Sequence, residues 1–397
     1  YIFLFATVSA IPTGRVEVVF PSVETSRSGV KSVKFRTLGE DIELKLEPAG
    51  DILAKDFAFY NGNHEKQHSV DVESLRRKLY KDRTNGAALL IDDNEQPPSI
   101  EGIVFSKLKI SPHEWKQVSK DGKRAHKVEK LTSEKDYYLS DNVILSDFGR
   151  EVKNFTRLDR DDQCLVIEIL SVTESSLTER FETNEALTEY VTLMYSSAET
   201  ILRQLDSGLQ LRLSGIVAFT KETEPPLFKK NELKDGEYYS KLILPEIKNY
   251  FCKNPITSSK SADIIMLLIT RFMTTLKADG SIQGFVAGRA YSGTVCDECN
   301  KVGVTRDSGS AVSGSMLSAH EMSHLLGVTH DGDPSKYTGV SGSPGAESCP
   351  SKDGFLMGYN RGDNRGIFSK CSKDCAKYLL SKPEASCVYE KCKNSRY

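Results

Sequence analysis

Apolar residues follow two different patterns along this chain, with the change near residue 160. From about residue 14 to 130, short runs such as 16–20, 41–46 and 103–108 alternate apolar and polar positions, and turn residues separate them. A period of two puts successive side chains on opposite faces of a strand. This half of the chain therefore predicts a β-rich domain.

The second half carries longer apolar runs separated by helical segments. Strand patterns occupy 165–172, 209–217 and 262–269, and helices are predicted at about 184–205, 236–250, 311–326 and 375–380. The helix at 184–205 has an apolar stripe with helical spacing. Strands that alternate with helices are typical of an α/β sheet. We therefore expect a second domain of α/β class.

Length and charge limit the classes of function. A chain of 397 residues favours two domains, and 39% hydrophobic with 27% charged residues fits a globular protein. The net charge of −2 gives no electrostatic footprint for nucleic acid or for an anionic membrane surface. No segment approaches the run of about 18 apolar residues that spans a bilayer.

Residues 1–10 are apolar and end in small residues, which predicts a truncated signal peptide cleaved near Ala10. A buried first strand is the alternative. The nine cysteines all lie at or after Cys164, which indicates two separate units and a secreted, oxidising destination for the second. Because nine is odd, at least one thiol is free or pairs outside the chain.

One motif carries the chemistry. His320 and His324 are four residues apart, so a helix places both imidazoles on one face. Glu321 stands next to the first histidine, where it can take a proton from a metal-bound water. Gly327 can end the helix with a positive φ and turn the chain back, which brings in His330. Three neutral nitrogens with one open position are the catalytic arrangement of zinc. A surface histidine pair is the ordinary alternative, but the five fixed positions favour zinc.

The motif resembles that of the metzincin zinc endopeptidases. Asp331 after the third histidine points to the reprolysin (adamalysin) branch, and Asp331 itself is expected to stabilise a turn rather than bind metal. Met357, 27 residues after His330, is similar to the family's Met-turn. Residues 284–291 resemble its edge strand, and 368–372 resemble a further family motif. The resemblance covers about 164–392.

The resemblance implies three segments: a truncated signal peptide at 1–10, a β-rich propeptide and linker at 11–160, and a zinc metalloprotease domain at 161–397. The implied fold is a mixed twisted sheet with long helices, a zinc helix and a Met-turn. It also implies a secreted enzyme that hydrolyses extracellular matrix or plasma proteins, with Glu321 as general base and the propeptide as inhibitor. The propeptide has no cysteine to cap the zinc, so it would have to inhibit by another ligand or by obstruction.

Family spacing further implies disulfides and a calcium site. The implied pairs are Cys296–Cys387, Cys252–Cys299 and Cys349–Cys371, with Cys375–Cys392 as a fourth guess that leaves Cys164 single. Glu168, Asp263 and Glu390 fall at the family's acidic calcium positions, and carboxylates suit calcium. Three solvated acids are the alternative.

The charged segment before residue 161 carries two modification signals. Residues 157–160 fit the R-x-x-R pattern of secretory processing proteases, which predicts cleavage after Arg160, and Asn154 begins a glycosylation sequon. A rival function rests on the tripeptide Arg361, Gly362 and Asp363, which spells an integrin-recognition sequence. An adhesion or decoy protein is therefore the alternative to a protease, although Glu321 and all three ligands are intact.

Overall fold

The computed structural model describes residues 16–105, 107–114, 121–130, 163–233, 236–359 and 362–392. Within the described residues no helix is both long enough and apolar enough to cross a bilayer.

Strands before residue 131 are β1 Val16–Val19, β2 Ser22–Thr25, β3 Lys31–Thr37, β4 Glu40–Pro48, β5 Leu53–Asn61, β6 Lys66–Gln67, β7 Leu79–Asp82, β8 Ala87–Asp92, β9 Ser99–Val104, β10 Leu108–Pro112 and β11 His126–Lys130. Later strands are β12 Gln163–Thr173, β13 Gln210–Ala218, β14 Tyr238–Tyr239, β15 Ile264–Ile269, β16 Met273–Leu276, β17 Ile282–Val286, β18 Gly288–Ala290, β19 Val302–Arg306 and β20 Tyr389–Lys391. The helices are α1 Val72–Lys78, α2 Ser175–Thr178, α3 Asn184–Leu202, α4 Pro226–Lys230, α5 Ser240–Lys253, α6 Thr257–Ser261, α7 Ala311–Leu325 and α8 Lys370–Leu380.

Contacts divide the chain into two compact units. The first consists of Tyr1–Pro48 with Lys78–Asp136, and the second of Ala49–Arg77 with Tyr137–Tyr397. The sequence-based division placed all of 11–160 in one domain, so Ala49–Arg77 differs from that prediction. The predicted boundary at 160/161 and the signal peptide at 1–10 lie outside the described residues.

The first unit is an antiparallel sheet in the order β1-β11-β10-β9-β8-β7-β4-β3-β2. Alternation explains its single core: along β3, Val33 and Phe35 are buried while Lys34 and Arg36 are exposed. The inward side chains of six other strands complete the same cluster. A β-rich first unit is thus what the alternating pattern predicted, although the predicted run 103–108 is divided by a turn between β9 and β10.

The second unit is built on a sheet in the order β18-β19-β15-β12-β13-β5-β6. Strands β19, β15, β12, β13 and β5 are mutually parallel neighbours, whereas β18 and β6 run antiparallel at the two ends. All six residues of β15 are buried. Parallel strands covered on both faces read as continuous apolar runs, which is why the sequence predicted these strands well.

Strand β5 is where the fold departs from the sequence-based division. It lies parallel to β13, with Phe59 opposite Ile216 and Tyr60 opposite Val217. Its apolar side chains are buried in the second unit rather than in the first. No particular strand was predicted at these residues, which were included in the β-rich half of the chain. An alternating pattern marks a buried face and not a neighbour, so it could not assign the segment to a sheet.

Helices α3 and α7 pack against each other, and α7 also packs on β19 and β18. Each has a side-chain N-cap: Thr183 accepts from the amide of Ala186, and Ser310 accepts from the amide of Ser313. Such caps satisfy amides that the first helical turn leaves without a partner. The cap at Ser310 fixes where the motif helix begins.

The predicted edge strand 284–291 is divided into two strands in different sheets. Strand β17 pairs with β16 in a small sheet with β14, whereas β18 pairs antiparallel with β19 at the end of the main sheet. The second piece, β18, packs against the helix that carries the motif.

Four disulfides link the second unit: Cys296–Cys387, Cys252–Cys299, Cys349–Cys371 and Cys164–Cys392. The first three are the pairs that the resemblance implied. The fourth guess, Cys375–Cys392, is wrong, because antiparallel pairing of β12 with β20 brings Cys164 to Cys392. Cys375 is a buried free thiol inside α8 whose Sγ donates to the carbonyl of Gly345.

Candidate active site

The motif occupies the last turns of α7 and the loop that follows. His320, Glu321 and His324 lie on the helix and are buried. Gly327 has a φ of 78°, and its amide donates to the carbonyl of His324 at 2.8 Å. Left-handed geometry at this position closes the helix and reverses the chain, as glycine allows. This reversal brings the imidazole of His330 close to those of His320 and His324.

The three imidazoles converge on one point. Their ring centroids are 5.0 Å apart for His320 and His324, 5.4 Å for His320 and His330, and 4.7 Å for His324 and His330. One nitrogen from each ring lies within 4.8 Å of the other two. The arrangement presents three ring nitrogens to a common centre.

The distance between two of these nitrogens suits a metal ion. Nε2 of His320 and Nε2 of His330 are 3.3 Å apart. Two nitrogens bound to one tetrahedral zinc at roughly 2.05 Å would be about 3.3 Å apart. The donor set, three imidazoles, is also one that zinc prefers. The residues present therefore fit a zinc ion.

Backbone carbonyls orient two of the rings. Nδ1 of His320 donates to the carbonyl of Leu356 at 3.0 Å, and Nδ1 of His324 donates to the carbonyl of Val328 at 2.8 Å. A carbonyl can only accept, so Nδ1 carries the proton in each ring. The lone pair is then on Nε2, the nitrogen that must be unprotonated to bind a metal.

The predicted Met-turn is joined to the motif by backbone carbonyls. Met357 is fully buried, and its carbonyl accepts from the amide of Asp331 at 2.9 Å. The preceding carbonyl, of Leu356, is the one that holds His320. The turn thus positions one imidazole directly and the loop after the third imidazole through one backbone bond.

Asp331 ties the motif to α8. Its Oδ1 accepts from the hydroxyl of Ser369 at 2.6 Å, and Ser369 is the N-cap residue of α8. Burial raises the pKa of Asp331, while the Ser369 hydrogen bond lowers it. Its place fits the turn-stabilising role that the sequence analysis expected.

Glu321 points towards β18. A Cβ built on Gly288 would lie 2.0 Å from Oε1 of Glu321 and 2.4 Å from its carboxyl carbon. No side chain fits there, so only glycine allows the carboxyl group this position. The motif search did not single out Gly288, because its role depends on a strand that lies 33 positions earlier in the chain.

Two of the three predicted calcium carboxylates, Glu168 and Glu390, bind a cation of the chain itself. Nη1 of Arg212 donates to Glu168 at 3.2 Å and to Glu390 at 2.7 Å, and Nη2 donates to the other oxygen of Glu390 at 2.6 Å. Asp263 instead accepts from the backbone amide of Glu168, and burial raises the pKa of Asp263 to about 7. Calcium stays a prediction, since Arg212 supplies positive charge to two of the three groups. The sequence analysis had no signal for Arg212.

Among the described residues one further cluster has metal-like proximity, formed by Asp263, Cys296 and Cys387. Both cysteines are joined in a disulfide, so their sulfurs are not thiolate ligands. Of the modification predictions, Arg160 and Asn154 lie outside the described residues, as does Arg361 of the tripeptide. Gly362 and Asp363 begin a short 3₁₀ turn, and Asp363 is exposed.

Comparison with known proteins agrees with the geometry. The family model of metallopeptidase family M12 matches residues 165–369. A metalloproteinase of Tityus obscurus is 59% identical over 370 residues, which is 92% of this chain and 96% of the relative. The venom metalloproteinase antarease TserMP_A of Tityus serrulatus is 44% identical, covering 98% of each chain. The venom metalloproteinase BumaMPs1 of Olivierus martensii is 36% identical over 100% of this chain and 98% of its own. This chain belongs to metallopeptidase family M12 and is a reprolysin-type metalloendopeptidase.

Proposed function

We propose that this chain is the proenzyme of a secreted zinc endopeptidase that cleaves extracellular proteins. The observation that carries the proposal is the 3.3 Å separation of two imidazole nitrogens beside a buried glutamate. Secretion is supported by the venom origin of relatives that align over almost the whole chain and by the four disulfides. Matrix or plasma proteins are the proposed substrate class.

His320, His324 and His330 would hold the zinc through Nε2. When bound, zinc supplies Lewis acidity, which makes water a stronger acid near neutral pH and polarises a carbonyl. The carbonyls of Leu356 and Val328 keep two of the rings in the tautomer that can ligate. Met357 would serve as the floor of the site, as in the Met-turn of the family.

Glu321 is the proposed general base. Its carboxyl group lies beside Gly288 of β18, and the residue directly follows His320 on α7. A water held between the histidines and β18 would be within reach of a carboxyl oxygen. Glu321 would take a proton from that water and deliver it to the nitrogen of the leaving amine. Burial of the glutamate limits the water that could compete.

Strand β18 is the proposed substrate platform. It is the last strand of the main sheet on the side of the motif helix. A terminal strand can bind an extended peptide through backbone hydrogen bonds, as an added strand. Gly288 on β18 would then serve two purposes, since it admits the Glu321 carboxyl and brings peptide backbone close to it.

Residues 11–160 are proposed to be a propeptide and linker that are separated from the protease domain by cleavage after Arg160. The mature enzyme would then begin at Asp161, and N-terminal sequencing of the secreted form tests this. The alternative of an adhesion protein predicts binding to integrin that depends on Asp363. The two described residues of the tripeptide, Gly362 and Asp363, begin a short 3₁₀ turn, which does not favour that alternative.

A paired assay tests the proposal. The chain cut after Arg160 should cleave a denatured protein substrate, lose activity in a chelator and regain it when zinc is added. Glu321→Ala should keep zinc yet lose activity by roughly 10³-fold or more, because the base is removed and the ligands remain. Glu347→Ala, at an exposed position outside the motif, is the matched control. Turnover of Glu321→Ala within about tenfold of wild type would remove Glu321 from the role of base.

A further inference from the structure

One segment of the predicted propeptide is built into the protease sheet. Strand β5 lies parallel to β13, and β6 then pairs antiparallel with β5. The contacts assign all of Ala49–Arg77 to the unit that contains α7. A piece of chain before the linker therefore completes the fold of the part after it.

The added strand contributes apolar surface as well as backbone pairing. Five of its side chains are no more than 6% exposed: Leu53, Ala54, Phe57, Ala58 and Phe59. The two residues between these groups, Lys55 and Asp56, are exposed. Burial of two phenylalanines and a leucine removes apolar surface from water and so stabilises the attachment.

Glycines on both sides allow close approach. A Cβ on Gly62 would lie 2.2 Å from Oγ1 of Thr223 and 2.8 Å from a ring carbon of Phe219. A Cβ on Gly215 of β13 would lie 2.7 Å from the carbonyl oxygen of Ala58. Each interface position is thus occupied by the one residue type that fits.

Polar contacts continue the interface beyond the strand. The hydroxyls of Tyr60 and Ser258 are 2.9 Å apart, and Nδ2 of Asn184 donates to the hydroxyl of Ser69 at 2.8 Å. The ring of His64 lies 3.1 Å from the hydroxyl of Tyr250 through Nε2 and stacks near Phe251. Contacts from three separate elements of the protease therefore fix the segment.

We propose that the edge of β13 is a docking surface for an extended peptide and that its occupant is Ala49–Arg77 of this chain, which stays bound after the backbone is cut in the linker. The inference rests on the proposed function only in treating that cut as maturation. Docking would keep the propeptide attached to the mature enzyme as a second, noncovalent chain.

The docked segment lies away from the candidate active site, so it can attach the propeptide without blocking substrate. In the sheet order, β5 is beside β13, whereas β18 is at the opposite end, next to the motif helix. The docked segment therefore does not cover β18, the proposed substrate-binding strand, and any inhibition would come from other parts of the propeptide. Its loss would uncover the β13 residues that pair with β5, namely Leu213 and residues 215–218, and exposed apolar strand edges promote aggregation.

The test uses the full chain with a recognition site for a specific protease in place of residues 157–160 and with Glu321→Gln to prevent self-digestion. After the cut, size-exclusion chromatography shows whether the two fragments travel together, and hydrogen exchange reports on the amides of β13. We expect co-elution and β13 protection within about threefold of the uncut chain. No readout depends on proteolysis by the chain, so failure here is distinct from failure of the proposed function.

Two variants identify the contact. Gly62→Val should release the cut fragment or speed exchange of β13 at least about 100-fold, because its side chain collides with Thr223. Asp56→Val adds the same side chain at an exposed position of β5 and should resemble wild type. Separate elution of the wild-type fragments would overturn the proposal. So would co-elution with β13 unprotected, or equal behaviour of the two variants.

Discussion

Gly288 and Glu321 face each other so closely that a Cβ on the glycine would lie 2.0 Å from Oε1 of the glutamate. The two residues belong to different elements, β18 and α7. The carboxyl group that we propose as the base can therefore occupy its position only because residue 288, on the edge strand β18, has no side chain. This relationship gives the first prediction.

Gly288→Ala should displace the Glu321 carboxyl and lower kcat by roughly 100-fold or more, since small displacements of a catalytic group have effects of that size. The zinc content should not change, because the three histidines are untouched. Gly284→Ala is the matched control on the neighbouring strand, where a Cβ meets nothing closer than 3.8 Å. Steady-state kinetics with metal analysis checks both. Wild-type kcat in Gly288→Ala would contradict the placement.

Ser369→Ala should destabilise the second unit by about 2 kcal/mol. The change removes an N-cap from α8 and a donor from the buried Asp331 carboxyl group. Urea unfolding at a fixed zinc concentration measures the loss. Ser386→Ala, at an exposed position after α8, should change the free energy of unfolding by less than about 0.5 kcal/mol. An equal effect in both variants would show that the Asp331 contact contributes nothing specific.

Peptide mapping without reduction should recover Cys164 linked to Cys392 and should find Cys375 as a thiol. Alkylation of Cys375 should need denaturant, because the thiol is buried and burial raises its pKa. The Cys349–Cys371 bridge closes a step of 22 residues around the Met-turn. A loop of this size stabilises by roughly 3 kcal/mol in the chain-entropy model. Cys349 linked to any other cysteine would contradict the described tail.

The first unit should lose stability in acid because of His126. This ring is 1% exposed, its Nε2 accepts from the amide of Ile100 at 2.9 Å, and burial lowers its pKa from 6.5 to about 4. Unfolding frees the ring to bind a proton below pH 6.5, while the folded ring stays neutral down to about pH 4. Stability is therefore complete above pH 6.5 and falls between these limits by roughly 3 kcal/mol.

Hydrogen exchange of β9 and β11 amides, corrected for the intrinsic effect of pH, measures this loss. His126→Gln can still accept from Ile100 but does not titrate, so its protection should be flat over the same range. His68→Gln, at an exposed histidine, should keep the wild-type slope. An unchanged slope in His126→Gln would assign the acid sensitivity to other groups.

The sequence by itself determined the chemistry of the candidate site. His320, Glu321 and His324 depend on helical spacing, and Gly327 with His330 depends on a turn of three residues, so both are local properties of the chain. The buried strands β12, β13 and β15 were also readable, because a continuous apolar run marks a strand covered on both faces.

The tertiary structure alone decided which distant segments became neighbours. It placed β5 beside β13, Gly288 against Glu321, Arg212 between Glu168 and Glu390, and Cys164 rather than Cys375 beside Cys392. Periodicity determines which face of an element is buried, but that face can pack against many partners of similar hydrophobicity. Which distant strands and side chains pair depends on the order of strands in the sheet and on close packing. No short stretch of sequence contains that information.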